Sequence, residues 1–386
     1  MQEEARHICK VSVQHAAKDD RIYYKQALSL RRAGYRVSVV SSGPDGPVDM
    51  GGESFPPGKD ERGIDHYFVT RPKDVWSRFQ KKVFTGPFYR KMIEQCQRTG
   101  ADLFVAHEPQ SILIARKAAE GLGTKCLFDA HESVYYSNVK DRWAKRWEFP
   151  RLRYFTAANP MTREAILRLS PDAQSEVIYN ASLCSPSAVS EPSEAQDCVL
   201  LHEGSLPFNR GLVLLLEGLS ILVERRTDWT LRIVGRLKSE EQEYYDERVL
   251  GGPLEERISL TGWVSYESLD QALEGADVGL ILNTETPNNL YGGPANKLFN
   301  YMAKGCAIVS VDLPETKRII KDTKSGLVLP ERDPGLLADI LEGLIDKRAE
   351  IEAYKANCAM AKDTWSWSAE ETKLLEFYRL ILEEVE

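Results

Sequence analysis

Two doubly wound α/β domains are what this sequence predicts, on three observations. Short apolar runs alternate with helical patterns through both halves of the chain. A Ser-, Pro- and Ala-rich stretch, 181–197, separates the two series. Residues 278–311 read in order as strand, glycine-rich loop, helix and strand. At 386 residues the chain also exceeds one ordinary domain.

In the first half, strands are expected at 8–13, 37–41, 103–106, 126–128 and 176–178, with helices at 22–33, 111–120 and 162–169. The second half repeats the alternation. Its strands are expected at 199–202, 231–234, 258–260, 278–282, 307–311 and 326–328, with helices such as 211–223 and 267–274. Runs that are apolar throughout suit parallel strands buried on both faces. Two such domains would face each other across a central cleft, the carboxyl ends of their strands directing ligands into it.

The stretch YGGPANKLFNYMAKG, 291–305, is the most chemically suggestive. Its helix is expected to open at Pro294 or Ala295, where proline suits the first turn. The unpaired N–H groups of that turn and the helix dipole favour a phosphate; Gly292 and Gly293 let a ligand approach the backbone, and Lys297 adds a positive charge. The competing reading is a tight strand-to-helix turn with no ligand.

Composition limits the setting. Hydrophobic residues make up 42% and charged residues 28%, ordinary for a globular protein with sizeable cores. No apolar run approaches the roughly 18 residues needed to span a bilayer, and MQEEARH lacks the apolar centre of a signal peptide. A cytoplasmic location is therefore expected. Seven cysteines, odd in number and without C-x-x-C spacing, indicate neither a disulfide framework nor a zinc site. The net charge of −8 hides an asymmetry: residues 1–180 hold 29 basic and 22 acidic side chains, the remainder 21 and 36. Segment 71–91 carries seven basic residues against one acidic, interleaved with aromatics, and segment 140–153 carries six against two. Both suit an anionic membrane surface or a phosphate-bearing acceptor, unless they form a solvated face whose aromatics reach the core. Nucleic acid is not expected: the chain is acidic overall and shows no RNP, KH or zinc-finger pattern.

Neither G-x-G-x-x-G after the first strand nor G-x-x-x-x-G-K-[ST] occurs, which disfavours a nicotinamide dehydrogenase and a P-loop NTPase. Three His-Glu pairs, His107-Glu108, His131-Glu132 and His202-Glu203, each follow an apolar strand, at the edge where open α/β sheets bind ligands.

With these residues in view, the chain resembles the retaining, GT-B-fold glycosyltransferases of family 4 nearly end to end. Asp20-Arg21-Ile22, Leu30 and Gly34-Tyr35-Arg36-Val37 are similar to that family's opening segment, and Phe128-Asp129-Ala130-His131-Glu132 to its "Y-D-A-H-E". GSLPFNRG, 204–211, aligns with "G-R-L-x-x-x-K-G", LRIVG, 231–235, with the next strand and turn, and 296–309 with "N-K-L-x-E-Y-M-A-x-G-x-P-V-V". Trp365-Ser366-Trp367 and the helix to Leu382 resemble the C-terminal helix that crosses back to the first domain in this fold.

The resemblance implies three segments: an acceptor-binding domain, 1–182; a nucleotide-sugar domain, 183–364; and a returning helix, 365–386. It implies a retaining transfer of a hexose or N-acetylhexosamine from an NDP-sugar to a glycan, polysaccharide or lipid-linked acceptor; the basic segments 71–91 and 140–153 add, to the cytoplasmic location, an expected peripheral contact with the inner face of the membrane. No cofactor or metal is expected. Arg210 and Lys297 would stabilise the departing diphosphate, and His131 would hydrogen-bond the donor sugar. Gly204, Ser205, Gly235, Gly292, Gly293, Asn296 and Asn300 would bind the donor. His15, Asp20, Arg21, His107, Glu108 and Glu132 are the acceptor-side candidates. The leaving phosphate oxygen would take the acceptor proton, so no general base is named.

Departures from the pattern are specific. The family's E-x7-E would place carboxylates at 292 and 300, where this chain has Gly292 and Asn300, and Ser205 replaces the first Arg of the G-R-L motif. Glu285, upstream, could substitute for the first carboxylate. An inactive homologue is one reading of these losses. A GT-B-fold sugar-nucleotide epimerase would need acid–base carboxylates in the cleft and no acceptor surface. A non-catalytic rival is a two-domain protein that binds a sugar phosphate without chemistry.

Overall fold

A computed structural model describes residues 5–71, 86–131, 139–185 and 197–384. The chain divides into two compact units, Met1–Asn180 with Glu370–Glu386, and Ala181–Ala369. Each is built on one sheet.

The first sheet comprises β1 His7–Val11, β2 Arg36–Gly43, β3 Gly58–Lys59, β4 Asp65–Thr70, β5 Leu103–Ala106, β6 Lys125–Ala130, β7 Tyr154–Ala157 and β8 Gln174–Val177, in the order β3-β4-β2-β1-β5-β6-β7-β8. All pairs are parallel except β3 with β4. The second comprises β9 Cys198–Glu203, β10 Trp229–Val234, β11 Ile258–Leu260, β12 Val278–Ile281, β13 Ala307–Val311 and β14 Gly326–Leu329, in the order β11-β10-β9-β12-β13-β14, parallel throughout. Strands β1, β5, β12 and β13 are buried at every position, the pattern of strands covered on both faces.

The strand order reverses between β1 and β5 in the first sheet and between β9 and β12 in the second. At such a reversal the loops leaving the two strands diverge, so their carboxyl ends leave a crevice where ligands bind. Glu108, following β5, spans this point in the first unit: it accepts from Ser12 Oγ at 2.5 Å and from the backbone N–H groups of Val13, Gln14 and His15 at 3.0–3.3 Å. In the second unit, Gly211 closes the equivalent point. A Cβ there would lie 2.2 Å from Leu282 O, and its φ is +97°, so only glycine fits.

The helical segment expected at 22–33 begins as a π-helical turn, Asp20–Ala27, capped by Asp19 and running into the α-helix Leu28–Arg32. Asp19 accepts from the N–H groups of Arg21 and Ile22. The C-terminal helix, Trp367–Glu383, packs its later turns on the first sheet: Leu374, Tyr378 and Ile381 are fully buried, and Tyr378 OH meets Lys10 Nζ at 2.7 Å. Strands β4 and β7 were not expected from sequence. Among the described residues, no helix is long and apolar enough to cross a membrane.

Segment 72–85 lies outside the described residues. Of the flanking aromatics, Phe88 and Tyr89 are buried on the helix Pro87–Thr99 and join the first core. In segment 140–153, Phe149 is buried while Trp147 stays 46% exposed, with the Arg146 guanidinium over its ring at 5.4 Å.

Candidate functional site

In the first unit, chemistry gathers around Asp129, fully buried at the end of β6. Arg21 donates to both its oxygens, at 2.9 and 2.7 Å, Gln26 Nε2 at 2.9 Å and Thr156 Oγ1 at 2.6 Å. His107 Nδ1 lies 3.1 Å from Oδ2, and His131 Nδ1 lies 3.3 Å from the same oxygen and 3.2 Å from the backbone carbonyl. Burial alone would push this carboxyl up. The charge and hydrogen bonds of Arg21, joined by the two histidines, outweigh it and hold Asp129 well below the usual carboxylate range. Burial pulls His107 down to about 4, so it is neutral at pH 7.

The candidates therefore separate by placement. Arg21, 2% exposed, has its guanidinium committed to Asp129 and to Ile178 O, inside the core. Asp20 accepts from Lys25 Nζ and Asn180 Nδ2, both at 3.1 Å. Glu108 organises the loop after β1. His131 and His15 reach the surface of the unit, partly buried, with their Nε2 atoms 3.2 Å apart. Glu132 lies outside the described residues. His107, Asp129 and His131 offer three metal-ligand atoms within 4.8 Å of one another. Asp129, however, already accepts from Arg21, Gln26 and Thr156, which leaves that carboxylate poorly suited to a cation.

In the second unit, the loops after β9 and β10 touch. A Cβ on Gly235 would sit 2.1 Å from Gly204 O, and Gly204 itself has φ +85°. This close approach opens a pocket of about 500 Å³ whose lining includes Ser205, Phe208, Arg210, Arg236, Lys238 and Glu241. Arg210 leaves the 3-10 turn Phe208–Arg210 and donates to Ser205 Oγ at 3.4 Å. Trp263, after β11, is 42% exposed and stacks under the Arg236 guanidinium at 5.7 Å.

The helix of the glycine-rich loop is Asn296–Ala303, with Ala295 at its N-cap and no side-chain cap, one residue later than the latest expected start. Gly293 has φ +103°, and a Cβ on Gly292 would lie 2.5 Å from Asn288 O. Asn296 is exposed at the first helical position, while Lys297 is buried, its Nζ 3.2 Å from His202 Nε2. Burial, then the nearby Arg210 charge, pull Lys297 down to about 7 against the attraction of Glu203. Burial, then the Lys297 charge, hold His202 far below its ordinary value, so it is a neutral partner.

Asn300 is also buried. Its Nδ2 donates to Glu203 Oε1 at 2.8 Å, and its Oδ1 accepts from Ser182 Oγ at 2.5 Å. The residue expected to meet a ribose thus bridges β9 to the start of the 181–197 stretch. Glu203 puts a carboxylate beside position 300 from a different element. The His202-Glu203 pair had marked this strand end, but which residue it would face was not readable from spacing.

Two family models match the chain: Glycosyltransferase Family 4 over residues 21–181 and Glycosyl transferases group 1 over 197–347. A phosphatidyl-myo-inositol mannosyltransferase of Mycobacterium leprae is 29% identical over 174 residues, 45% of this chain and 43% of the relative. An amylovoran biosynthesis glycosyltransferase of Erwinia amylovora is 26% identical over 152 residues, 39% of this chain and 37% of the relative. The matches thus span less than half the length of these curated relatives. Among solved structures, Anabaena HepE in complex with UDP and glucose superposes with a TM-score of 0.74 at 15% identity, covering 97% of this chain and 99% of that one. WaaG, a glycosyltransferase involved in lipopolysaccharide biosynthesis, gives 0.66 at 12% identity, covering 95% and 98%. At these identities the likeness shows the fold, GT-B.

Proposed function

The chain belongs to the family 4 and group 1 glycosyltransferases, and on that premise we propose that it transfers a hexosyl group from an NDP-sugar to an acceptor hydroxyl with retention of anomeric configuration. The observation that carries this reading is that the Arg210 charge acts on buried Lys297, which stands in the first turn of Asn296–Ala303, a turn with no side-chain cap. As the sugar–phosphate bond breaks, charge accumulates on the diphosphate. Fixed cations and backbone N–H groups that need no reorganisation stabilise it there. Gly204 and Gly235 let the two loops pack backbone to backbone beside the pocket lined by Ser205, Arg210 and Arg236.

Neutral His202 supports the same role for Lys297, because it accepts from the ammonium without neutralising it. His131 is the group proposed to meet the donor sugar. A glycan or lipid-linked acceptor is the reading favoured by the basic first half and by the names of the relatives, a phosphatidyl-myo-inositol mannosyltransferase and an amylovoran biosynthesis glycosyltransferase. Peripheral association with an anionic membrane surface is proposed on the same basic segments.

Incubation with NDP-sugars and no acceptor should give slow release of NDP, whereas ligand binding without turnover under any acceptor would favour a non-catalytic binder. Arg210→Ala should lower turnover by on the order of a hundredfold or more, the scale of losing one transition-state electrostatic partner. Near-normal activity in that variant would remove Arg210 from the phosphate site.

A further inference from the structure

The pocket of the second unit has two chemically different walls. One is the loop after β9, with Phe208 and Arg210, where the proposed function places the diphosphate. The other is the loop after β10 and the first turn of the helix Ser239–Val249, with Arg236, Lys238 and Glu241. Its volume of about 500 Å³ lies in the range of sites that enclose a whole small-molecule ligand, so it has room for a nucleoside as well as phosphate.

Glu241 is the anomaly of this pocket. The helix dipole favours an acidic residue in a first turn wherever its side chain points, and the adjacent Glu240 is exposed. Glu241 is only 8% exposed, yet it makes no hydrogen bond or ion pair with any described residue. A carboxylate withdrawn from water without donors is destabilising, and this one lines a cavity. It repels phosphate. What completes it must therefore bring paired N–H or O–H donors and no negative charge. Flat groups accompany it: Phe208 is 38% exposed, and the Arg236 guanidinium lies over the Trp263 ring. Bases stack on such surfaces.

Among the nucleobases, guanine suits a lone carboxylate. It presents N1–H and its 2-amino group side by side, and the two carboxylate oxygens accept from both. Uracil and thymine set one N–H between two carbonyls, which a carboxylate repels. Adenine and cytosine set an amino group beside a bare ring nitrogen. A ribose diol also offers two donors, but the ribose is joined directly to the diphosphate and stays on the Arg210 side, where Glu203 is the carboxylate whose charge acts. We infer that Glu241 reads the base of the donor, accepting from N1–H and the 2-amino group of guanine, and hence that the donor is a guanosine diphosphate sugar. This rests on the nucleotide-sugar reading and specifies the base that reading leaves open.

Calorimetric titration of the full chain with GDP, IDP, ADP and UDP, without acceptor, needs no turnover. GDP should bind on the order of tenfold or more tighter than IDP, which lacks only the 2-amino group, and tighter again than ADP and UDP, the scale of a well-placed pair of base hydrogen bonds. Glu241→Gln exchanges one acceptor for a donor. It should lose the preference for GDP and gain binding of xanthosine diphosphate, whose 2-carbonyl accepts from the new amide while N1–H still donates; that gain also shows the variant to be folded. GDP no tighter than ADP or UDP in the unaltered protein, or a GDP preference kept in Glu241→Gln, overturns the inference. So does a Glu241→Gln variant that binds all four more weakly by one factor, which would put the carboxylate on the ribose. The transferase reading fails separately. GDP bound with this preference, but no GDP-sugar turned over with any acceptor, sinks that reading and leaves Glu241 in place; turnover of a UDP- or ADP-sugar in preference to a GDP-sugar keeps the transferase and removes guanine. Binding of none of the four overturns both.

Discussion

At the scale of single residues, Lys297 ties donor binding to pH. Its ammonium is buried and drawn down to about 7, so at pH 8 the empty site holds mostly the neutral amine. A diphosphate favours the charged form, and binding at pH 8 should therefore draw a proton from solvent. Calorimetric titration with an NDP-sugar in two buffers of different ionisation enthalpy should show an uptake approaching roughly one proton at pH 8 and almost none at pH 6. Affinity should fall as pH rises through 7. Identical heats in the two buffers at pH 8 would exclude Lys297 from the diphosphate site, and Lys297→Met should abolish the uptake. Sequence named this lysine from its place in a glycine-rich loop, but not its burial against His202, which depends on a strand 95 residues away. Asn300 marks the same limit. Its departure from a family carboxylate was plain in the sequence, whereas the Glu203 carboxylate beside it was not, because that pairing is made between β9 and a helix distant in the chain.

Among the elements, strands buried on both faces, such as β1, β5, β12 and β13, were legible as unbroken apolar runs, and the less buried β8, β11 and β14 were expected as well. Strand β4, DHYFVT, escaped because only His66 and Val69 on it are buried, and one of the two is polar. Strand β7, YFTA, is buried throughout but short, and its Thr156 is there to donate to Asp129, a polar demand that breaks the apolar signal. The returning C-terminal helix was legible only through family likeness; its docking is polar as well as apolar. Lys10 Nζ, inside β1 and fully buried, bonds Gln26 Oε1 at 2.6 Å and Tyr378 OH at 2.7 Å, while Glu371 meets Arg32 at 2.7 Å. Removing one partner of a buried polar group exposes its desolvation cost, so Tyr378→Phe should destabilise the first unit by about 1–3 kcal/mol. Urea denaturation followed by a probe in that unit should show a lower midpoint at an unchanged slope. An unchanged midpoint would mean that Gln26 alone satisfies the lysine.

For the whole molecule, the buried histidines and lysines decide how stability follows pH. His7, His66, His107 and His202 all have values lowered first by burial, His107 to about 4. Unfolded, each would titrate near 6.5. As pH falls through 6.5 the unfolded chain therefore gains protons that the folded chain refuses, and stability is lost. The depressed carboxylates Asp19, Glu108 and Asp129 add to the loss only lower, once pH passes below the ordinary carboxylate range. Lys10 and Lys297, both drawn down to about 7, extend the trend upward: above 7 the unfolded chain retains protons that the folded lysines have released, so stability rises until the thiols of the unfolded chain ionise near roughly 8.5, an ionisation that burial of Cys96, Cys126, Cys184, Cys198, Cys306 and Cys358 opposes in the fold. Maximal stability should thus lie on the alkaline side of neutrality, well away from the sequence pI of 5.5. Thermal melts at constant ionic strength should show Tm climbing from pH 4.5 to above 8, and His107→Asn, which can still donate to Asp129 but has no proton to gain, should flatten the climb between about 4 and 6.5. A Tm that peaks near the pI would show that net charge, rather than these buried histidines and lysines, governs the stability of the protein.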